Sequence, residues 1–140
     1  MLKVMTVDDD NSFREMFKRW LLTHCPSMGV VEAGSGEEAL RMLNFDAFDL
    51  VFMDIHLPGE NGLKITRKIK TVWQDLPVII LTSYDMPEYR EAAIGYGANS
   101  FISKDSLKWE EISTLFKCYQ GATQNGRKPA CFGFISKQQF

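Results

Sequence analysis

Apolar positions in this chain fall into two kinds of run that alternate. Short apolar blocks occupy residues 2–7, 28–33, 49–53, 78–81 and 100–102, and each is followed by a longer stretch with helical spacing of its apolar residues. A short, nearly continuous apolar run rich in β-branched residues suits a strand covered on both faces. Its repeated alternation with helical stretches predicts five βα pairs, an α/β fold around a mostly parallel sheet.

The helices carry their own start and stop signals. Phe13, Met16, Phe17, Trp20 and Leu21 recur at i, i+3, i+4, i+7 and i+8, which predicts a first helix with one buried stripe. Asn11 or Ser12 can cap it, and it should end near Cys25, ahead of Pro26. Ser35 and Glu38 have the spacing of a capping box and open a second helix through Ala39, Leu40, Met42 and Leu43. A third is expected over residues 63–72 after Gly62, and a fourth from near Pro87 to the Gly95 and Gly97 region. A fifth should start at Ser106 and turn Leu107, Ile112, Leu115 and Phe116 inward. Beyond Gln120 the pattern gives way to Gly121, Asn125, Gly126 and Pro129. One domain is therefore expected over residues 1–120, with 121–140 as a tail too short for a separate output domain. Residues 130–135 of that tail are apolar enough to dock on the body or to pair as an extra edge strand.

Composition narrows the function classes. The chain has 140 residues, 45% hydrophobic and 24% charged, the balance of a soluble globular domain. Its net charge of -2 supplies no bulk attraction to nucleic acid or anionic lipid. No apolar run approaches the roughly 20 residues that cross a bilayer. The apolar start is cut short by Asp8, Asp9 and Asp10 with no basic leader, so no signal peptide is expected and the cytoplasm is the expected compartment. Cys25, Cys118 and Cys131 lack the spacing of a zinc site.

Residues that follow the strands are the ones to examine, because ligands of open α/β sheets bind beyond the carboxyl ends of the strands. Asp8 and Asp9 follow the first strand, Asp54 the third, Thr82 and Ser83 the fourth, and Lys104 the fifth. Three carboxylates, a hydroxyl and an ammonium would thus converge. Crowded carboxylates repel, and a hard divalent cation such as Mg²⁺ relieves that repulsion through oxygen ligands. Alternatively, Asp8 to Asp10 end a strand and favourably charge the first helix, and Asp54 forms the turn that Leu57, Pro58 and Gly59 complete. With a metal and Lys104 at hand, Asp54 is a candidate nucleophile toward phosphorus.

The segments V-D-D-D, M-D-I-H-L-P-G-E-N-G, I-I-L-T-S and F-I-S-K-D, in this order, resemble the receiver domain of bacterial two-component response regulators over about residues 2–120. That resemblance implies a (βα)5 flavodoxin-like fold with strand order 2-1-3-4-5 and helices on both faces. It implies that Asp8, Asp9, Asp54 and the main-chain carbonyl of His56 hold Mg²⁺, with Mn²⁺ as a substitute, and that Asp54 accepts a phosphoryl group. Thr82 and Lys104 would contact that group, and Phe101 would change rotamer together with Thr82. The donor would be a histidine kinase or phosphotransfer protein. The output face would be the fourth helix, fifth strand and fifth helix, which would engage a downstream protein, an output domain or a second copy of the chain. Such a domain assists its own phosphorylation and dephosphorylation and is not an enzyme with a small-molecule product.

Some features depart from the family pattern. Lys104 is followed by Asp105 where a cis-linked proline is common, so a trans bond is expected. His56 and Tyr84, each two residues past a site residue, are bulky and are expected to set the lifetime of the phosphorylated state. Gly34, Gly36 and Ala39 imitate a dinucleotide fingerprint, but Glu37 and Glu38 stand where a pyrophosphate needs positive potential. A receiver-like module that signals without phosphorylation is the alternative, and direct contact with DNA is not expected of this chain.

Overall fold

The computed structural model describes residues 2–125, and the expectation for residues 130–135 lies outside the described residues. Strands β1 (Lys3–Val7), β2 (Gly29–Ala33), β3 (Leu50–Met53), β4 (Val78–Thr82) and β5 (Ser100–Ser103) form one parallel sheet in the order β2-β1-β3-β4-β5. Helices α1 (Asn11–His24), α2 (Gly36–Phe45), α3 (Gly62–Val72), α4 (Pro87–Gly95) and α5 (Trp109–Asn125) follow the strands in turn. The five βα pairs and the strand order agree with expectation.

Alternation along each strand divides the interior into two layers. Met5, Val7, Val51, Met53, Val78, Ile80 and Phe101 point to one face, where Ala39 and Leu43 of α2, Ile65 and Ile69 of α3, and Ala93 of α4 cover them. Val4, Leu50, Phe52, Ile79, Leu81 and Ile102 point to the other, against Phe17 and Leu21 of α1 and Ile112, Leu115 and Phe116 of α5. Each such side chain larger than alanine, taken from water, contributes about 1.5–3 kcal/mol. Both faces are thus closed, and only the strand ends and the loops beyond them are free to carry chemistry.

Three local expectations are corrected. The cap of α1 is Asp10, neither Asn11 nor Ser12: its carboxylate accepts from the amides of Ser12 and Phe13, both at 3.1 Å. Met16 is 47% exposed because the buried stripe of α1 narrows to Phe17 and Leu21, with Phe13 and Trp20 half-buried beside them. Ser106 belongs to a 3-10 turn (Lys104–Ser106) capped by the Ser103 hydroxyl, which accepts from the Asp105 amide at 3.2 Å, so α5 starts later, at Trp109. The expected capping box of α2 is met in half: Glu38 N–H donates to Ser35 Oγ at 3.2 Å, while Glu38 Oε2 accepts at 3.3 Å from the amide of Gly34, one residue before the cap. That pairing accounts for Ser35 and Glu38 without a nucleotide. No peptide bond among the described residues is cis, that after Lys104 included.

Candidate functional site

Register brings the site together before any side chain is considered. Val7 pairs with Met53 across β1 and β3, so the next residues, Asp8 and Asp54, leave the sheet side by side. The Asp54 amide still donates to the Val7 carbonyl at 3.0 Å, and the Asp8 amide to that of Ala33 at 3.0 Å, so both backbones stay anchored at the rim. Thr82 pairs with Ser103 across β4 and β5, and Lys104 comes next. Asp8, Asp54 and Thr82 are buried, whereas Asp9 is exposed.

Charge organises the pocket. Lys104 Nζ lies 2.6 Å from Asp8 Oδ2 and 3.4 Å from Asp54 Oδ2. Its ammonium also lies 4.2 Å from the centre of the Phe13 ring, a cation–π contact that shields one side of it. Oxygens of Asp8, Asp9 and Asp54 all lie within 4.8 Å of one another, a group able to hold a metal ion. Burial, and then the charge of Asp8, push the Asp54 carboxyl above its ordinary value, and Lys104, the Ile55 amide and the Thr82 hydroxyl offset only part of this. Burial acts against the Lys104 ammonium, yet its hydrogen bond to Asp8 and the nearby carboxylates outweigh that and raise its pKa. Lys104 leans toward Asp8, so Asp54 keeps the smaller share of its attraction. A carboxylate held in this state is short of positive charge, which is the condition a hard cation satisfies.

Other expected residues take their places around this centre. The Thr82 hydroxyl accepts from the Tyr84 amide at 3.2 Å, which folds the loop after β4 back onto the strand end. The rings of His56 and Tyr84 meet with centroids 4.0 Å apart, and Tyr89 of α4 closes a trio at 5.9 and 6.0 Å. Phe101 is fully buried in the layer under α2, α3 and α4.

Two supports were not read from the sequence. Arg14 of α1 donates from Nη1 to the Asp8 carbonyl at 2.5 Å and from Nε to Glu32 at 3.1 Å, which pins the loop between β1 and α1. A charged residue on a helix reads as a solvated face, and only its side toward β2 tells otherwise. Gly62 packs on the backbone of Asp54 so closely that a β-carbon would stand 1.8 Å from the Asp54 carbonyl oxygen. The pair Asn61 and Gly62 was the available signal: Asn61 Oδ1 caps α3 by accepting from the Leu63 amide at 2.9 Å.

The family model for the response regulator receiver domain matches residues 4–116. Among curated proteins, the chain is 33% identical to the response regulator UvrY of Escherichia coli strain K12 over 122 residues, 86% of this chain and 56% of that protein. It is 32% identical to the response regulator MprA of Mycobacterium leprae over 103 residues, 74% of this chain and 44% of that protein. The chain thus spans about half the length of the curated relatives it matches. Among solved structures, the response regulator TrrA of Thermotoga maritima, in complex with Mg(2+)-BeF, superposes with a TM-score of 0.75 at 30% identity, covering 85% of this chain and 99% of that one. A CheY-like receiver domain protein from Methanospirillum hungatei shares the fold, with a TM-score of 0.80 at 21% identity over 90% of this chain and 99% of that one.

Proposed function

The chain belongs to the response regulator receiver domain family, and from that premise we propose that it is a phosphoacceptor switch in which Asp54 carries the phosphoryl group. The observation that supports this most is the Lys104 ammonium, 2.6 Å from Asp8 and 3.4 Å from Asp54, beside the cluster of carboxylates. A domain with no phosphoryl chemistry has no physical need to crowd three carboxylates and an ammonium at one strand edge.

In the proposed reaction an Asp54 oxygen attacks phosphorus, forms the new P–O bond and displaces the donor, a histidine of a kinase or phosphotransfer protein. Lys104 stays as a point charge against the phosphoryl oxygens, and the Thr82 hydroxyl turns to donate to one of them. Such transfer asks mainly for positioning and for positive charge. Asp8, Asp9 and Asp54, with the His56 carbonyl, would hold Mg²⁺, and Mn²⁺ suits the same oxygen donors. The bound cation supplies charge that draws electron density from the phosphoryl oxygens. The raised Asp54 carboxyl fits this role, and so does the Mg(2+)-BeF complex of the TrrA relative. Water then attacks phosphorus and breaks the bond to Asp54, which returns as a carboxylate while inorganic phosphate leaves, so the chain assists both steps on itself.

Phosphorylated Asp54 would shift the population of a second conformation of α4, β5 and α5, the face offered to a downstream protein, an output domain or a second copy. No helix among the described residues is long and apolar enough to cross a membrane. Incubation with Mg²⁺ and acetyl phosphate tests the proposal. One phosphoryl group per chain, lost in Asp54→Ala and on adding EDTA, is the expected result. Absence of labelling overturns it in favour of a phosphorylation-independent interaction module.

A further inference from the structure

Arg90 is a charged residue of α4 with 4% of its surface exposed. Its Nε donates to Asp85 Oδ1 at 2.7 Å, its Cζ lies 4.7 Å from the centre of the Phe101 ring, and its Nη1 is buried with no hydrogen-bond partner among the described residues. A guanidinium has five N–H donors, and a buried one normally satisfies most of them. Among the described residues, one carboxylate and one ring face are the polar and aromatic contacts that hold it. Such a group keeps its place only while both partners keep theirs, because water offers its remaining donors a better environment.

Both partners stand at informative places. Asp85 lies in the loop between β4 and α4, and that loop is tied to Thr82 by the Tyr84 amide at 3.2 Å. Phe101 is on β5, paired with Ile80 of β4. A contiguous route therefore leads from the Thr82 hydroxyl through the Tyr84 amide to Asp85, Arg90 and the Phe101 ring.

We infer that Arg90 is a positioning residue: it holds the Phe101 ring in its buried place and couples that ring, through Asp85, to the loop that Thr82 anchors. The cation–π face fixes the ring from the α4 side, and the ion pair fixes the guanidinium from the loop side. Displacement of Thr82 loosens Asp85, the under-satisfied guanidinium turns outward, and Phe101 is released together with α4. The response to phosphorylation rests on the switch reading above, whereas the holding of Phe101 in the free protein does not.

The test follows the Phe101 ring by ¹⁹F NMR in protein grown with fluorophenylalanine, its signal assigned by its loss in Phe101→Leu. In Arg90→Leu without Mg²⁺, a second Phe101 signal should rise about tenfold from a minor population of a few per cent. Asp85→Asn should move it in the same direction, and the double variant should add little to either single one. An unchanged Phe101 signal in folded Arg90→Leu overturns the inference. Should that variant not fold, Arg90→Lys decides in its place: it keeps the charge but lacks the flat face, so the same displaced signal supports the inference and a native signal overturns it. The native protein with Mg²⁺ and beryllofluoride separates the two readings. A Phe101 signal that ignores the phosphoryl mimic there, while Arg90→Leu still displaces it in the free protein, overturns the coupling of Phe101 to phosphorylation and leaves the holding role standing.

Discussion

The amide of Gly62 donates to the carbonyl of Ile55 at 2.7 Å, and this bond lays the first turn of α3 against the backbone of Asp54. Only a residue without a β-carbon fits there, since that atom would stand 1.8 Å from the Asp54 carbonyl oxygen. Gly62→Ala must therefore push α3 away from the strand end or move Asp54 itself. It should cost about 1–3 kcal/mol of stability, as overpacking does, and should reduce labelling by acetyl phosphate. Gly36→Ala is the control. Its β-carbon would stand 2.4 Å from Ile65 Cγ1, part of a buried core side chain and not of the Asp54 backbone, so stability should fall while labelling stays near native. Urea denaturation and labelling of both variants check this, and equal loss of labelling in the two would deny Gly62 a special role.

Asp54 binds its proton more tightly in the folded chain than in the unfolded one, first because it is buried and then because Asp8 is near. Between the unfolded value of 3.8 and the higher folded value the native state holds the extra proton, so stability falls as pH rises through that window. Above the window the cost of the buried charge persists in full. Asp54→Asn removes that cost and should stabilise the metal-free protein at pH 7 by about 0.5–2 kcal/mol, the usual range where an active site trades stability for function. The gain should shrink as pH is lowered below the window, and also when Mg²⁺ is added to the native protein, because the cation favours the carboxylate. Denaturant titrations in EDTA at neutral and acid pH measure this. A gain that does not change with pH would rule out ionisation of Asp54 as its source.

The fold was legible because its strands are covered on both faces. Continuous apolar blocks such as the one ending at Met53 leave little choice of assignment, and the polar residue that ends each block is then a rim residue by geometry alone. That logic brought Asp8, Asp54, Thr82 and Lys104 to one edge, where the structure has them. What was not legible depends on distances between segments far apart in sequence. Gly62 looked like a helix start, and its contact with Asp54 arises only once α3 is docked. Arg90 was not singled out from the sequence, because the ring of Phe101 and the carboxylate of Asp85 that draw it inside come from other segments. The true cap of α1 was hidden in a run of three aspartates, any of which could have capped it.

Those three aspartates do different work, and substitution should separate them. Asp8 pairs with Lys104 and accepts the Asp10 amide at 2.9 Å; Asp10 caps α1; Asp9 is exposed and faces the other two site carboxylates. Asp10→Ala should cost about 1 kcal/mol, the usual loss for a helix cap, with Mg²⁺ binding retained. Asp9→Asn should leave stability within about 0.5 kcal/mol, as surface changes do, and weaken Mg²⁺ binding. Calorimetric titration with Mg²⁺ beside thermal unfolding of each variant reads both quantities. The reverse pattern would mean that Asp10, and not Asp9, turns toward the cation.

The lifetime of phosphorylated Asp54 should depend on two rings that meet at the rim. His56 follows Asp54 and Tyr84 follows Thr82 by the same short step, and their centroids are 4.0 Å apart with Tyr89 beside them. Water that cleaves an acyl phosphate must approach phosphorus roughly in line with the breaking bond, and contacting rings at the rim narrow that approach. His56→Asn combined with Tyr84→Ala should speed the loss of the phosphoryl group by about tenfold, or on the order of 1.4 kcal/mol of barrier. Each ring leans on the other, so either single substitution should already loosen the cover, and the two single effects should sum to more than the double one. The measurement is first-order decay of labelled protein after the donor is removed. Unchanged decay denies the rings a role in the lifetime, and slower decay reverses their role, since it would mean that they bring water to phosphorus.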